Sequence, residues 1–346
     1  MQKFRNFAPM FQNTDVDINS LFASDESNFE GNALSVFNFQ YQHNELYRQY
    51  CELIRCDPRC VDSITNIPFL PISFFKSREV TTTVFKPKLV FESSKTTGAV
   101  ASRHSVKEAS VYEQSYLQSF ELFYGDVKNY CIIGLLPSYL ERENSSLVYM
   151  VNDLIKRSGH ESGGFFLHDF RSLHALLTKN EAAGQATLLF GVTFALLDFA
   201  CAYPLPLRHT IIIETGGMKG RKREMTREEV HVELGRAFET RNIHSEYGMT
   251  ELLSQAYATS HGMFDCPGWM KMLVRDADDP FFVRTSTKGS KPVNGLGNVI
   301  DLANIYSCAF IATDDVVKLH PDNKFEILGR ADNSDIRGCS LMVTAV

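Results

Sequence analysis

Between about residue 80 and residue 265, short apolar runs alternate with segments of helical pattern. The pattern predicts strands over 130–136, 186–190 and 209–213, and helices over 106–123, 145–157 and 226–241. Such alternation is typical of an α/β fold with a parallel sheet, because each parallel connection needs a crossover helix. Ligands of these sheets bind at the carboxyl ends of the strands. We therefore expect the functional site at that edge.

The two flanking regions have different patterns. Residues 1–80 are mostly polar, and the spacing of their apolar and aromatic residues predicts a helix across 33–57. The proline-containing run 67–72 then predicts an extended connection. From about residue 266, short strands and turns predict a small β-rich section. The expected organisation is an N-terminal helical segment, 1–80, packed on a main α/β domain, 81–346.

Composition excludes several functional classes. At 346 residues the chain is longer than most single compact cores, and its net charge is −6. This acidity, without a basic stripe carrying interleaved aromatics, argues against a nucleic-acid surface. The N-terminal segment has no apolar signal core, and no run approaches the length of a transmembrane helix. The sequence therefore predicts a cytoplasmic enzyme without an integral membrane segment.

Eight cysteines are scattered along the chain. Three lie close together without paired Cys-x-x-Cys spacing, so a zinc site is not expected there: Cys51, Cys56 and Cys60. Three others lie in apolar runs and are predicted to be buried free thiols: Cys131, Cys201 and Cys308. Cys339 differs, because Gly338 and the nearby Arg337 favour an exposed thiolate. An acyl-accepting group and an inert thiol are both open interpretations of Cys339.

The segment 247–251 brings together an aromatic ring, a glycine, a hydroxyl and a carboxylate. Tyr247 can cover a purine face, and Gly248 lets a backbone come close to a ligand. Thr250 can bind a phosphate oxygen, and Glu251 can hold a hard cation. The combination suits a nucleotide with a metal ion. The alternative is a buried turn in which the tyrosine and threonine are satisfied by the protein.

A hydroxyl-rich loop follows the apolar run 89–91: Ser93, Ser94, Lys95, Thr96, Thr97 and Gly98. Hydroxyls and backbone N–H groups at such a junction can form an anion nest, to which a lysine adds charge. The loop lacks the spacing of a Walker A sequence. An exposed Ser/Thr turn is the alternative.

Two later segments carry further candidate groups. In 310–317, Asp314 and Asp315 lie between apolar runs, and a carboxylate at a strand end can accept both hydroxyls of a ribose. An ordinary Asp-Asp turn is the alternative. Arg330, after Gly329 in 327–332, can reach a ribose or phosphate, or can be a solvated surface arginine.

In this order the four segments resemble motifs of the adenylate-forming superfamily, which includes acyl-CoA synthetases, luciferases and adenylation domains. Segment 93–98 is similar to its phosphate loop, 247–251 to its YGxTE motif, 313–315 to its TGD motif and 329–338 to its hinge motif. Segments 102–104, 214–220, 245–252 and 336–341 look like the LuxE-type acyl-protein synthetases, the long-chain-fatty-acid protein ligases of bacterial luminescence and their relatives. The resemblance implies layered α/β sheets plus a small β section, with the C-terminal lid absent or vestigial.

The resemblance also implies a function. ATP and Mg²⁺ would activate a carboxylic acid, a fatty acid in the LuxE branch, to an acyl-adenylate. The acyl group would then pass to Cys339 and from there to a partner such as a reductase or carrier. Thr250 and Glu251 would serve catalysis, Glu251 also the metal, and segment 93–98 the phosphates. The remaining cofactor-binding candidates are, for adenine, Gly216, Gly217, Tyr247 and Gly248 and, for ribose, Asp315 and Arg330.

Two departures from the superfamily pattern concern the nucleotide. Lys95 stands where the phosphate loop has glycine, and Asp314 replaces the glycine of TGD. Two other functions therefore stay open. One is an aryl- or acyl-CoA ligase of the phenylacetate type, and the other is a non-catalytic acyl- or nucleotide-binding subunit. The apolar run 188–197 fits either a core strand and helix or an acyl pocket, and His104 and His244 fit structural roles or contacts to the substrate.

Overall fold

The computed structural model describes residues 16–93, 100–136, 144–216, 225–286 and 289–331. The helices in these ranges are α1 (Ile18–Phe22), α2 (Phe29–His43), α3 (Glu45–Leu53), α4 (Phe74–Ser77), α5 (Ala109–Tyr124), α6 (Ser146–Ser158), α7 (Phe170–Ala183), α8 (Thr193–Ala202) and α9 (Arg227–Phe238). The strands are β1 (Leu70–Pro71), β2 (Leu89–Glu92), β3 (Arg103–Val106), β4 (Cys131–Leu135), β5 (Gly164–Phe165), β6 (Thr187–Gly191), β7 (Thr210–Glu214), β8 (Ile243–Tyr247), β9 (Ala256–Ala258), β10 (Met270–Arg275), β11 (Val283–Arg284), β12 (Val293–Asp301), β13 (Phe310–Leu319) and β14 (Phe325–Arg330).

One sheet has the strand order β5-β4-β6-β7-β8-β9. Its first five strands are parallel, and β9 returns antiparallel to β8. His244 and Ser245 are neighbours in β8 and therefore face opposite sides. Tyr124 of α5 stacks on His244, whereas His231 of α9 lies 3.0 Å from the Ser245 hydroxyl. Helices thus cover both faces, and the predicted parallel sheet is confirmed.

The three predicted strands and three predicted helices of this region all form, with ends that shift by three residues or fewer. The strands β4 and β6 are fully buried, which explains why their sequences are continuously apolar. The run 188–197 forms part of β6 and the start of α8, and most of its side chains pack in the core. Cys131 and Cys308 are buried as predicted, but the prediction for Cys201 is wrong because this side chain lies on the exposed face of α8.

The second sheet has the order β1-β13-β12-β10-β11, in which β1 pairs with the first half of β13 and β14 pairs with its second half. It contains the predicted β-rich section, and only its β1 comes from the first 80 residues. Asp314 and Asp315 lie inside the ten-residue strand β13, so an Asp-Asp turn is not what the chain forms. A separate two-stranded hairpin joins β2 to β3.

The predicted helix across 33–57 is wrong in one respect. Asn44 has extended backbone angles, ends α2 and accepts a hydrogen bond from the Tyr47 N–H at 3.0 Å as the N-cap of α3. Asparagine favours this position because its side chain satisfies a free N–H of the first turn. The apolar periodicity continues across Asn44, so periodicity alone does not show this break. No helix in the described ranges is long and apolar enough to cross a membrane.

Candidate active site

Gly216 and Tyr247, two of the residues predicted for the site, lie at the carboxyl ends of β7 and β8. These strands are neighbours, with Glu214 in register with Ser245. Gly216 follows β7 by two residues, and Tyr247 is the last residue of β8. This edge is where an α/β sheet places its ligands.

Tyr247, Asp315 and Arg330 form one contact group. The Tyr247 hydroxyl donates to Asp315 Oδ2 at 2.8 Å, and Arg330 Nε lies 3.3 Å from Asp315 Oδ1. The pairing of β13 with β14 places Asp315 opposite Arg330. Burial raises the pKa of Asp315, and the Arg330 charge opposes that shift. The Tyr247 ring packs against Phe264 and Phe325, with centroids 5.9 and 5.5 Å away.

Glu251 lies at the stem of the β2–β3 hairpin. Its side chain is buried, desolvation raises its pKa, and a hydrogen bond from Ser102 opposes that shift. Ser102 is itself tied to Ser93, because its N–H donates to Ser93 Oγ at 2.9 Å and its carbonyl accepts from the Ser93 N–H at 3.0 Å. The stem of the predicted phosphate loop and the predicted metal ligand are therefore adjacent.

Two side chains hold the backbone of the Thr250–Glu251 loop. His104 Nδ1 donates to the Thr250 carbonyl at 2.8 Å, and Asn304 Nδ2 donates to the Glu251 carbonyl at 2.7 Å. Burial lowers the pKa of His104 to about 4, so the ring is neutral and the proton on Nδ1 is fixed by the carbonyl it faces. His104 therefore supports the backbone of the Thr250–Glu251 loop.

Sequence reasoning missed two charged side chains at this edge. Glu214 Oε1 accepts the Gly216 N–H at 2.8 Å and also the Thr193 hydroxyl. Gly216 has φ +76°, a conformation that glycine adopts without strain. Arg227 Nε lies 3.8 Å from Glu214 Oε2. The position of Glu214 before two glycines could have indicated a functional role. A single arginine after a helix cap gives no such indication.

Several predicted residues lie outside the described ranges: Ser94, Lys95, Thr96, Thr97, Gly98, Gly217 and Cys339. Within the described ranges, no group of three or more His, Cys, Asp or Glu side chains could hold a metal ion. The donor set nevertheless fits a nucleotide with Mg²⁺. Mg²⁺ is commonly bound by one or two carboxylates together with substrate phosphates, and the buried Glu251 carboxylate would be kept ionised by a cation.

Comparison with known proteins bears on both the family and the fold. Residues 18–148 match the family described as acyl-protein synthetase, LuxE. A search of curated proteins found no match. The chain is similar to ATP-bound MatB from Rhodopseudomonas palustris, at 18% identity and a TM-score of 0.51 over 70% of this chain and 47% of that chain.

Two further solved structures have TM-scores below 0.5. A long-chain-fatty-acid-CoA ligase (FadD1) from Archaeoglobus fulgidus has 13% identity and a TM-score of 0.46, over 70% of this chain and 51% of that one. A benzoate CoA ligase from Burkholderia xenovorans LB400 has 14% identity and a TM-score of 0.42, over 66% and 47%. The chain spans about half the length of these structures. Residues 18–148, less than half of the chain, match the acyl-protein synthetase family LuxE, in agreement with the resemblance drawn from the motifs, and the chain shares the α/β fold of ATP-bound MatB.

Proposed function

We propose that this protein uses ATP to activate a carboxylic acid as an acyl-adenylate and transfers the acyl group to a thiol. The observation that carries the proposal is the contact of Asp315 with both Tyr247 and Arg330. It joins three segments that each resemble a separate nucleotide-binding motif. A structural ion pair would explain Asp315 and Arg330 alone, but it would not explain their meeting with Tyr247 at the ligand-binding edge of the sheet.

In this proposal Asp315 accepts the ribose hydroxyls and Arg330 orients the carboxylate. Tyr247 fixes Asp315 through its hydroxyl, and its ring stands beside the adenine. Among the described residues, no heavy atom beyond its chain neighbours lies within 4 Å of where a Cβ of Gly216 would be, which would leave room for the base. Gly217 is the second glycine proposed for the adenine. The hydrogen bond from Tyr247 and the ion pair with Arg330 leave lone pairs of Asp315 for a ligand, because a carboxylate has about four acceptor sites.

The phosphates would lie between the 93–98 loop and the Thr250–Glu251 loop. Glu251 would hold Mg²⁺, which supplies charge neutralisation at the phosphates when bound. An oxygen of the acid attacks the α-phosphorus, a C–O–P link forms, and the bond to pyrophosphate breaks. The protein's part is to orient the two reactants and to keep water away, which is the main lever in phosphoryl-group chemistry.

The second half-reaction would use a thiol. The sulfur attacks the acyl carbon, a thioester forms, and AMP leaves with the bonding electrons of the C–O bond. Cys339 is the proposed acceptor, and a fatty acid is the proposed substrate. Cys339 follows Arg330 by nine residues, so an extended chain could carry its sulfur roughly 30 Å from the end of β14. A reductase or carrier protein would then take the acyl group.

The first test is acid-dependent exchange of pyrophosphate into ATP, across fatty and aromatic acids. We expect exchange with at least one acid, and a loss of roughly a hundredfold or more in Glu251→Gln, because the cation loses its carboxylate ligand. Glu228→Gln, on the exposed face of α9, is the matched control and should keep full activity. Absence of exchange with every acid, in protein that binds ATP, would leave a nucleotide-binding subunit as the function.

The second test concerns the acceptor. After incubation with ATP and the radiolabelled acid, we expect a hydroxylamine-sensitive label on the protein that Cys339→Ser abolishes. Cys60→Ser and Cys201→Ser are the controls, because these thiols are exposed and could be labelled without any transfer step. Label that persists in Cys339→Ser would contradict the proposal. Turnover that needs coenzyme A and survives this substitution would favour the CoA-ligase alternative.

A further inference from the structure

Arg227 lies beside Glu214 at the edge of the candidate site. It is the first residue of α9, and its Nε is 3.8 Å from Glu214 Oε2. The ring of Phe264 contacts both the guanidinium and the Tyr247 ring, so these two groups flank the same side chain. The guanidinium carbon stands 4.7 Å from the centroid of Phe264, so one face of the group is covered by a ring.

The hydrogen-bonding capacity of Arg227 is largely unused. Its Nε is buried and has no hydrogen-bond partner within the described ranges, and one terminal nitrogen donates to the Ile327 carbonyl at a long 3.5 Å. Glu214 Oε1 accepts from Thr193 and Gly216, Asp315 accepts from Tyr247, and the ion pair of Arg227 Nε with Glu214 Oε2 is too long for a hydrogen bond. The Arg227 side chain is 23% exposed, but its buried Nε has no hydrogen-bond partner among the described residues. An anionic ligand beside the guanidinium would satisfy that donor.

The start of α9 does not offer a competing anion site. Thr226 and Glu229 form a reciprocal capping box, in which the Thr226 hydroxyl accepts the Glu229 N–H at 3.2 Å and the Glu229 carboxylate accepts the Thr226 N–H at 2.8 Å. The cap occupies N–H groups that would otherwise face a ligand. The guanidinium is therefore the group available to an anion at this end.

We propose that Arg227 binds a phosphate oxygen of the nucleotide. The inference rests on the proposed function, because it takes Asp315 and Arg330 as the ribose contacts and leaves the phosphate to the second arginine. A planar fork of N–H donors fits two phosphate oxygens, and its fixed stacking on Phe264 reduces the ordering cost of binding. Arg227 would be a binding residue that none of the recognised motifs contains.

The test compares AMP with adenosine by isothermal titration calorimetry. For Arg227→Gln we expect AMP to bind roughly ten- to a hundredfold more weakly while adenosine affinity stays within about twofold, because only AMP has the phosphate. Arg227→Lys should recover part of the AMP affinity, since it keeps the charge but loses the fork. Arg236→Gln is the matched control, on the same helix but exposed and paired with Glu233.

Each outcome decides the proposal. Equal losses for AMP and adenosine would show that Arg227 only maintains the shape of the site and would overturn the inference. Unchanged AMP affinity with a raised KM for the acid would assign Arg227 to the substrate carboxylate instead, again overturning it. Wild-type protein that binds neither compound would overturn the proposed function as well. If Arg227→Gln does not fold, the Arg227→Lys comparison decides, because a selective loss for AMP is still expected.

Discussion

The residue with the most unusual surroundings is Glu246, which sits in β8 one position before Tyr247. It faces the other side of the sheet, opposite Tyr257 of β9. Its side chain is 8% exposed, and burial, followed by the charge of Glu214, raises its pKa to about 8. Its Oε1 lies against Gly248, where any Cβ would collide with it. A side chain at Gly248 would therefore force the Glu246 carboxyl group to move, and the raised pKa favours the protonated form of Glu246 at neutral pH.

This protonation predicts a pH-dependent stability. An acid whose pKa is raised on folding stabilises the protein fully below its unfolded pKa of about 4.3, and that stability is lost as pH rises through about 8. The free energy of unfolding in urea should fall by up to about 1.4 kcal/mol per pH unit across this window. Glu246→Gln should remove that slope, so the free energy of unfolding of the variant rises relative to that of the wild type as pH rises.

The exposed Glu121→Gln, on α5, is the control for this experiment. Its stability curve should run parallel to that of the wild type. If Glu246→Gln also runs parallel between pH 5 and pH 9, Glu246 is ionised in the folded protein, and the surroundings assigned to it are wrong.

At the scale of elements, side-chain contacts join the β2–β3 hairpin to the loop after β8. His104 and Ser102 of the hairpin reach Thr250 and Glu251, and Phe75 of α4 meets the His104 ring edge-on with centroids 5.8 Å apart. A displacement of the hairpin would therefore also move the Glu251 carboxylate. A phosphate bound by the hairpin and a cation bound by Glu251 would each affect the position of the other.

The elements also show how far sequence reasoning reaches. Buried strands such as β6 were predictable because their apolar runs are set by burial on both faces. The four candidate site segments were proposed from local residue types. The contact of His104 with Thr250 was not, because 146 residues separate them and neither carries a local signal. Arg227 was missed for the same reason. Its contacts with Phe264 and Glu214 arise only in the folded chain.

At the scale of the whole molecule, α2 is bonded into the second sheet. Gln40 is fully buried, and its amide donates to the carbonyls of Asn304 and Ile305 at 3.0 and 2.9 Å. Its Oε1 accepts the Ala309 N–H at 2.9 Å, directly before β13. The N-terminal helices and the strand that carries Asp315 thus share one network.

Gln40→Leu should destabilise the protein strongly for a single substitution. The change leaves the Ile305 carbonyl without its amide donor and the Ala309 N–H without its acceptor, and each such buried group costs roughly 1–3 kcal/mol. We expect a loss of about 2–5 kcal/mol in the free energy of unfolding by urea. Gln49→Leu, at an exposed position of α3, should change it by less than about 1 kcal/mol. Similar values for the two variants would contradict the network.

The pairing of Tyr247 with Asp315 has a consequence for synthesis. Tyr247 leaves the ribosome 68 residues before Asp315, which at about 5–20 residues per second is a delay of several seconds. The five parallel strands have all been synthesised when that interval begins, whereas the corner that joins Tyr247 to β13 does not yet exist. A nucleotide bound in the proposed way would need a chain translated past β14, so its binding would distinguish such chains from those arrested earlier.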